Sequence, residues 1–77
     1  MEKLIEILNN IRDDVDYETC DTLIDDGIYV SFDIISLVAA LCEEYDIDIG
    51  AEELIPENFN SAKALYEMVQ RLIEEQN

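Results

Sequence analysis

The sequence predicts a small all-α domain, a four-helix bundle with three main helices and one short helix. The chain has 77 residues, which is enough for a single domain spanning residues 1–77. Hydrophobic residues make up 49% of the chain, too large a share for a disordered segment. It contains two glycines and one proline, too few for the turns that an all-β domain needs.

The first helix is predicted from about residue 2 to about residue 14, where apolar residues recur at helical spacing. These apolar residues are Leu4, Ile5, Leu8 and Ile11. The segment that follows, DDVDYETCDTLIDDG, has no sustained periodicity and is interpreted as an acidic loop. We expect Leu23 and Ile24 to pin this loop to the core and Gly27 to supply a turn.

The second helix is predicted to begin at Ser31, a residue type favoured as an N-cap, and to end near Tyr45. Asp33 lies in its first turn, where the helix dipole favours an anion. One side of this helix carries an apolar stripe that is expected to face the core. The stripe consists of Ile34, Leu37, Val38, Leu41 and Tyr45.

Two shorter predictions complete the fold. The segment AEELIPENF has room for one short turn of helix before Pro56. A final helix follows over NSAKALYEMVQRLIEEQ, with Asn60 or Ser61 as its cap. Its inward residues are predicted to be Leu65, Met68, Val69 and Leu72.

The charge of the chain restricts its partners. Twenty acidic residues stand against four basic ones, which gives a net charge of −16. This charge repels nucleic acids and anionic membranes, and it steers the protein toward basic partner surfaces. No run approaches a membrane span, and the segment MEKLIEILNNIRDD lacks the apolar region of a signal peptide. We therefore expect a cytoplasmic monomer without membrane insertion.

No catalytic or metal site is predicted. Histidine is absent, which removes Ser–His and Cys–His nucleophiles and the usual zinc sites. Cys20 and Cys42 form no metal-spacing motif and are interpreted as reduced thiols. The alternating acids from Asp14 to Glu18 resemble a calcium loop, but Thr19 occupies the position that requires glycine. A serine that does chemistry here would need another protein to activate it.

Two neighbouring residues have two interpretations each. Ser31 is either a plain helix cap or a covalent attachment point for phosphate, which the free N–H groups of a helix start favour. Phe32 falls nearly opposite the core stripe, so it either folds under the preceding loop or forms a contact surface. Its neighbours on that side of the helix are Ser36, Ala39 and Glu43, with Ile35 on the boundary.

The run SFDIISLVAALCEEYDIDI, residues 31–49, resembles the central segment of acyl carrier proteins. Members of that family usually read Asp-Ser-Leu-Asp or Asp-Ser-Phe, then Leu-Val, a pair of acids, an aromatic residue and an Ile-x-Ile-like end. The upstream DDG and the downstream ENFNSAKAL also match, so the resemblance covers residues 23–72. It implies an acyl-carrier-like bundle that catalyses nothing itself.

The resemblance also implies a cofactor and partners. Ser31 matches the serine that a phosphopantetheinyl transferase modifies with 4'-phosphopantetheine from coenzyme A, using magnesium, so that cargo rides as a thioester. The other expected partners are an acyl- or amino-acid-activating ligase and downstream synthase enzymes, which dock through basic surfaces. The matching docking residues are Asp33, Ser36 and Glu43, through polar atoms, and Phe32, Ile35 and Ala39, through apolar ones.

Three functions remain open at this point. The chain could carry fatty-acid or polyketide cargo, or it could carry aminoacyl or peptidyl cargo; Phe32 and the upstream DDG resemble D-alanyl and other stand-alone carriers slightly more. Val30 occupies the position before the serine where the family usually has aspartate, and Ser36 replaces a frequent glutamate. Because of Val30, the alternative is an unmodified acidic protein-interaction module with a carrier fold.

Overall fold

This computed structural model describes residues 1–76, which contain four α-helices and one short 3₁₀ turn joined by loops. The helices are α1 (Glu2–Ile11), α2 (Ser31–Tyr45), α3 (Pro56–Phe59) and α4 (Ala62–Gln76), and the 3₁₀ turn spans Ala51–Glu53. No β-strand occurs among the described residues. The predicted all-α bundle of three main helices and one short helix is confirmed.

Two ion pairs show that α1 and α2 pack antiparallel. Lys3 near the start of α1 lies 3.4 Å from Glu44 near the end of α2. Arg12, just after α1, lies 3.0 Å from Asp33 in the first turn of α2. The core lies between these helices and α4. It is formed by Leu4, Ile7, Leu8, Tyr17, Leu23, Tyr29, Leu37, Leu41, Ile47, Phe59, Ala62, Leu65, Met68, Val69 and Leu72.

The predicted core residues of α4 are all buried, but the stripes of α1 and α2 are narrower than predicted. On α2 only Leu37 and Leu41 are fully buried, and the other stripe residues are half-buried. On α1, Ile7 is buried although the predicted pattern passed over it, whereas Ile5 and Ile11 are half-buried. With 77 residues, the bundle covers only part of each helix face.

Helix α1 ends at Ile11, earlier than predicted. Arg12 has an extended backbone, with φ −143°, and its N–H donates to the Leu8 carbonyl at 2.9 Å. The carboxylates of Asp13 and Asp14 follow directly, where the negative end of the helix dipole disfavours them. Tyr17 stabilises the exit, because its hydroxyl lies 2.6 Å from the Arg12 carbonyl oxygen.

The acidic loop is pinned to the core as predicted. Leu23 is fully buried and Ile24 is partly buried. The Leu23 N–H donates to the Asn60 carbonyl at 2.9 Å, and the Asn60 side-chain oxygen accepts the N–H groups of Ile24 and Asp25. Gly27 supplies the expected turn, with φ +69°, a conformation that glycine adopts without strain.

The cap of α2 differs from the expectation, whereas the cap of α4 is one of the two residues expected. Val30, not Ser31, is the N-cap of α2, and Ser31 is the first helical residue. A valine side chain has no hydrogen-bonding atom, so only the reverse half of a capping box forms: the Asp33 carboxylate accepts the Val30 N–H at 3.2 Å. Of the two candidates for α4, Ser61 is the cap, because its hydroxyl accepts the Ala64 N–H at 3.0 Å.

The segment between α2 and α4 is held by polar contacts. The predicted short turn before Pro56 is the 3₁₀ turn, and Pro56 itself opens α3, since the first helical position needs no N–H. The Arg71 guanidinium on α4 binds Glu53 of the 3₁₀ turn, and these hydrogen bonds lower the pKa of the Glu53 carboxyl. The Gln76 side chain both donates to and accepts from the Asp48 backbone, at 2.9 and 2.8 Å.

Candidate functional site

Five of the predicted docking residues form a continuous strip that we call the outer face of α2. It consists of Phe32, Ile35, Ser36, Ala39 and Glu43, all exposed except the half-buried Ser36. Phe32 is 76% exposed and Ile35 is 68% exposed. The alternative in which Phe32 folds under the preceding loop is therefore wrong. Two large apolar side chains exposed side by side on one helix are a candidate contact surface.

Ser31 lies at the head of this outer face and is itself exposed. As the first residue of α2, it precedes the exposed Phe32 and follows Val30, which is 51% exposed. No side chain caps the helix start, so the first-turn N–H groups around Ser31 stay free to meet an anion. Ser31 is not the N-cap of α2, so its interpretation as a plain helix cap is wrong.

An apolar groove begins one helical turn after Ser31. It has a volume of about 180 Å³ and runs between α2, the acidic loop and the segment that leads into α3. Its lining residues are Ile24, Ile34, Leu54, Ile55, Pro56 and Phe59. Leu54 and Ile55 are also exposed at the surface. A second apolar surface therefore lies between α2 and α3, which the sequence pattern did not indicate.

Asp33 differs from the other predicted docking residues. Its carboxylate oxygen Oδ2 accepts a hydrogen bond from Arg12 Nε at 3.0 Å, and its side chain is 13% exposed. The same oxygen accepts the Val30 N–H. The charge of Asp33 is thus directed at the end of α1 and at the start of its own helix. Of the two acids among the predicted docking residues, Glu43 is the exposed one.

A buried pair of tyrosines lies behind this ion pair. The Tyr17 and Tyr29 hydroxyl oxygens are 2.7 Å apart, and the rings pack edge to face with centroids 6.4 Å apart. Both hydroxyls also lie within 3.1 Å of the Leu8 carbonyl oxygen at the end of α1. Burial raises the pKa of both phenols. The only sequence signal for this pair was two aromatic residues in a segment otherwise rich in acids.

The site offers an oxygen nucleophile without a base. The sequence has no histidine, and among residues 1–76 no group of three or more His, Cys, Asp or Glu side chains could hold a metal ion. Cys20 and Cys42 are free thiols, each half-buried. The exposed Ser31 hydroxyl thus has no histidine beside it that could act as its base.

The chain was compared with known proteins. No protein-family profile matches it, and no curated protein matches it significantly. Within the part of the chain that the structure describes, no helix is both long and apolar enough to cross a membrane. The assignment of a function therefore depends on the motif around Ser31 and on the geometry of α2.

Proposed function

We propose that this protein is a carrier that holds acyl or aminoacyl cargo as a thioester on a 4'-phosphopantetheine arm attached to Ser31. The observation that carries the proposal is the position of Ser31. It is an exposed serine at the first position of a 15-residue helix. Phe32 follows it directly, and Phe32 and Ile35 are both exposed on one face of that helix. An unmodified core helix would not need to expose these two side chains.

The residues around Ser31 fit the proposed arm. The exposed hydroxyl leaves room for a transferase, and the uncapped first turn of α2 favours the negative charge of a phosphodiester. On loading, the Ser31 Oγ–phosphorus bond forms, the phosphoanhydride of coenzyme A breaks, and the nucleotide half leaves. Because the chain has no histidine, the transferase must accept the Ser31 proton. The bound arm would supply the thiol that carries the cargo.

The charge of the protein supports docking to basic enzymes. Twenty acidic residues are present, and three of the four basic side chains already form ion pairs with the protein's own acids. The outer face of α2 adds exposed apolar contacts within this acidic surface. A transferase, an activating ligase and downstream synthases with basic surfaces would meet both features, with association that weakens as salt rises.

The groove supports one class of cargo over the other. Its lining is apolar throughout, and it lies one turn of α2 away from Ser31. Apolar surface favours a hydrocarbon chain over a charged aminoacyl group, whose ammonium would lose hydration there. The groove thus supports acyl cargo, whereas the sequence around Ser31 leaned slightly toward an aminoacyl carrier.

A loading assay tests the proposal. The protein is incubated with coenzyme A, magnesium and a broad-specificity phosphopantetheinyl transferase, and its intact mass is measured. We expect one added phosphopantetheine on the wild type and on Ser36→Ala, a matched serine on the same helix, but none on Ser31→Ala. Ser31→Ala should remain folded, since Ser31 is not the helix cap. Addition to Ser31→Ala would show that the attachment site is wrong.

A second function is favoured by one residue. Val30 is exposed where acyl carrier proteins usually have an aspartate before the serine, so a carboxylate that helps loading is missing. An acidic protein-interaction module that uses the outer face of α2 without any arm would fit this change. A folded wild type that gains no mass in the loading assay would favour this second function.

A further inference from the structure

We propose that Arg12 and Asp33 are a pair of positioning residues whose ion pair holds the first turn of α2, and Ser31 with it, in the geometry for loading. This inference rests on the proposed function, because it concerns the presentation of the proposed attachment site. It gives Asp33 a task inside the molecule, in place of the direct partner contact that the resemblance implies.

The Asp33 carboxylate joins two parts of the chain. Its Oδ2 atom accepts a hydrogen bond from Arg12 Nε at 3.0 Å and another from the Val30 N–H at 3.2 Å. The ion pair spans 21 residues of sequence, and the Asp33 side chain is 13% exposed. One oxygen atom therefore links the end of α1 to the residue immediately before Ser31. The Arg12 side chain is 38% exposed, so the pair is half-covered, and a partly covered charge–charge hydrogen bond is stronger than one in open solvent.

The Arg12 end of this link is itself fixed. The Arg12 N–H donates to the Leu8 carbonyl at 2.9 Å, and the Arg12 carbonyl oxygen lies 2.6 Å from the buried Tyr17 hydroxyl. Because the Arg12 backbone is already ordered, closing the ion pair costs less conformational entropy than joining two free side chains. Arg12 can thus serve as a fixed point for the start of α2.

The start of α2 has few other restraints. Val30 offers no capping atom, and the side chains of Val30, Ser31 and Phe32 are exposed. The first backbone hydrogen bond of the helix runs from the Ile34 N–H to the Val30 carbonyl at 3.0 Å. Helix ends without caps or packing open most easily. Without the Arg12–Asp33 pair, this first turn should fray and Ser31 should lose its fixed position.

Hydrogen exchange tests the positioning role without any loading. We expect Arg12→Gln and Asp33→Asn each to speed exchange of the Ile34 amide by about threefold, the effect of a modest ion pair. The amide of Leu41, deep in the same helix, should change less. Lys3→Gln is the matched control, because it removes one positive charge and the other ion pair between α1 and α2, at the far end from Ser31. Unchanged Ile34 exchange in both variants would overturn the proposal.

Loading rates then separate positioning from direct docking. If Asp33 acts through Arg12, both single variants lower kcat/KM for Ser31 loading by a similar factor, about threefold, and Arg12→Gln/Asp33→Asn is no slower than either. If Asp33 instead contacts the transferase, Asp33→Asn slows loading while Arg12→Gln, which frees the carboxylate, does not. That second pattern would overturn the proposal.

The two proposals can fail separately. Suppose that Ile34 exchanges faster in Arg12→Gln and Asp33→Asn than in the wild type, but the wild type takes up no phosphopantetheine. The carrier function would then be refuted, while the positioning of the first turn would stand. A wild type that loads normally, with exchange and loading in Arg12→Gln equal to those in Lys3→Gln, would refute the positioning role and leave the carrier function intact.

Discussion

At the scale of single residues, exposure distinguishes the two phenylalanines of the chain. Phe32 is 76% exposed on the outer face of α2, whereas Phe59 at the end of α3 is 3% exposed in the core. The wheel position of Phe32, opposite the core stripe, already suggested this difference. Two large apolar side chains exposed on one face of a helix, Phe32 and Ile35, are a candidate contact surface.

Truncating each phenylalanine should separate binding from stability. Phe32→Ala is expected to change the free energy of unfolding by less than about 0.5 kcal/mol, as for most exposed positions. Phe59→Ala, the matched control, should cost about 3–5 kcal/mol because it opens a cavity in the core. Chemical denaturation measures both values. Transferase kcat/KM should fall for Phe32→Ala, and a loss of several kcal/mol in its stability would place Phe32 in the core.

At the scale of elements, the acidic loop is anchored in the core by three buried side chains, while its acids stay exposed. Tyr17 and Tyr29 enclose the end of α1, and Leu23 is buried beside α4. The Tyr17 hydroxyl lies against the Leu8 and Arg12 carbonyl oxygens at the end of α1. The Tyr29 hydroxyl lies against the Leu8 carbonyl oxygen, which also accepts the Arg12 N–H. The tyrosine pair thus stops α1 and supports the residue that holds the first turn of α2.

The tyrosine pair predicts a loss of stability in alkali. Burial raises the pKa of Tyr17 and Tyr29, so the folded state favours their protonated forms. Their contribution is complete below about pH 10, the usual tyrosine value, and is lost as the pH rises above it. Denaturation at several pH values should show this fall. Tyr29→Phe should reduce the fall, while losing about 1 kcal/mol at neutral pH.

A third tyrosine provides the control for this measurement. Tyr45 on α2 is half-buried, and burial raises its pKa too, so Tyr45→Phe shows how much of the fall arises outside the hydroxyl pair. If Tyr29→Phe lost as much stability as the wild type above about pH 10, the pair would not be the cause.

At the scale of the whole molecule, charge works against the fold. A net charge of −16 on 77 residues favours expansion, since like charges repel in the compact state. The four ion pairs formed by Lys3, Arg12 and Arg71 offset only a few of these acids. The same excess of acid favours basic partner surfaces over acidic ones, at some cost in stability.

Salt should therefore stabilise the protein and weaken its partner contacts. Raising NaCl from about 0.05 M to about 0.5 M shortens the Debye length and should raise the melting temperature. Over the same range kcat/KM for loading should fall, because electrostatic steering is screened. MgCl₂ at equal ionic strength is the control for specific divalent binding. A melting temperature that drops with NaCl would contradict dominant self-repulsion.

The sequence by itself determined the three long helices and the apolar side of α4. A period of about 3.6 residues is a local property, so α2, α4 and the position of Phe32 opposite the core stripe could be predicted without knowing any partner element, whereas the exposure of Phe32 could not. The position of Ser31 within one residue of the start of α2 follows from the same pattern and from turn chemistry. The identity of the cap did not follow, because serine and valine at neighbouring positions both suit an extended residue before a helix.

Only the tertiary structure decided what the polar groups do. The Arg12–Asp33 pair spans 21 residues and the Tyr17–Tyr29 pair spans 12, and neither follows a helical period. Such pairs form when packing brings α1, the loop and α2 together, so the folded arrangement chooses the partners. For the same reason Asp33, one of several acids in a local pattern, is the one that the fold directs inward, while Phe32, Ile35, Ala39 and Glu43 on the outer face of α2 stay exposed.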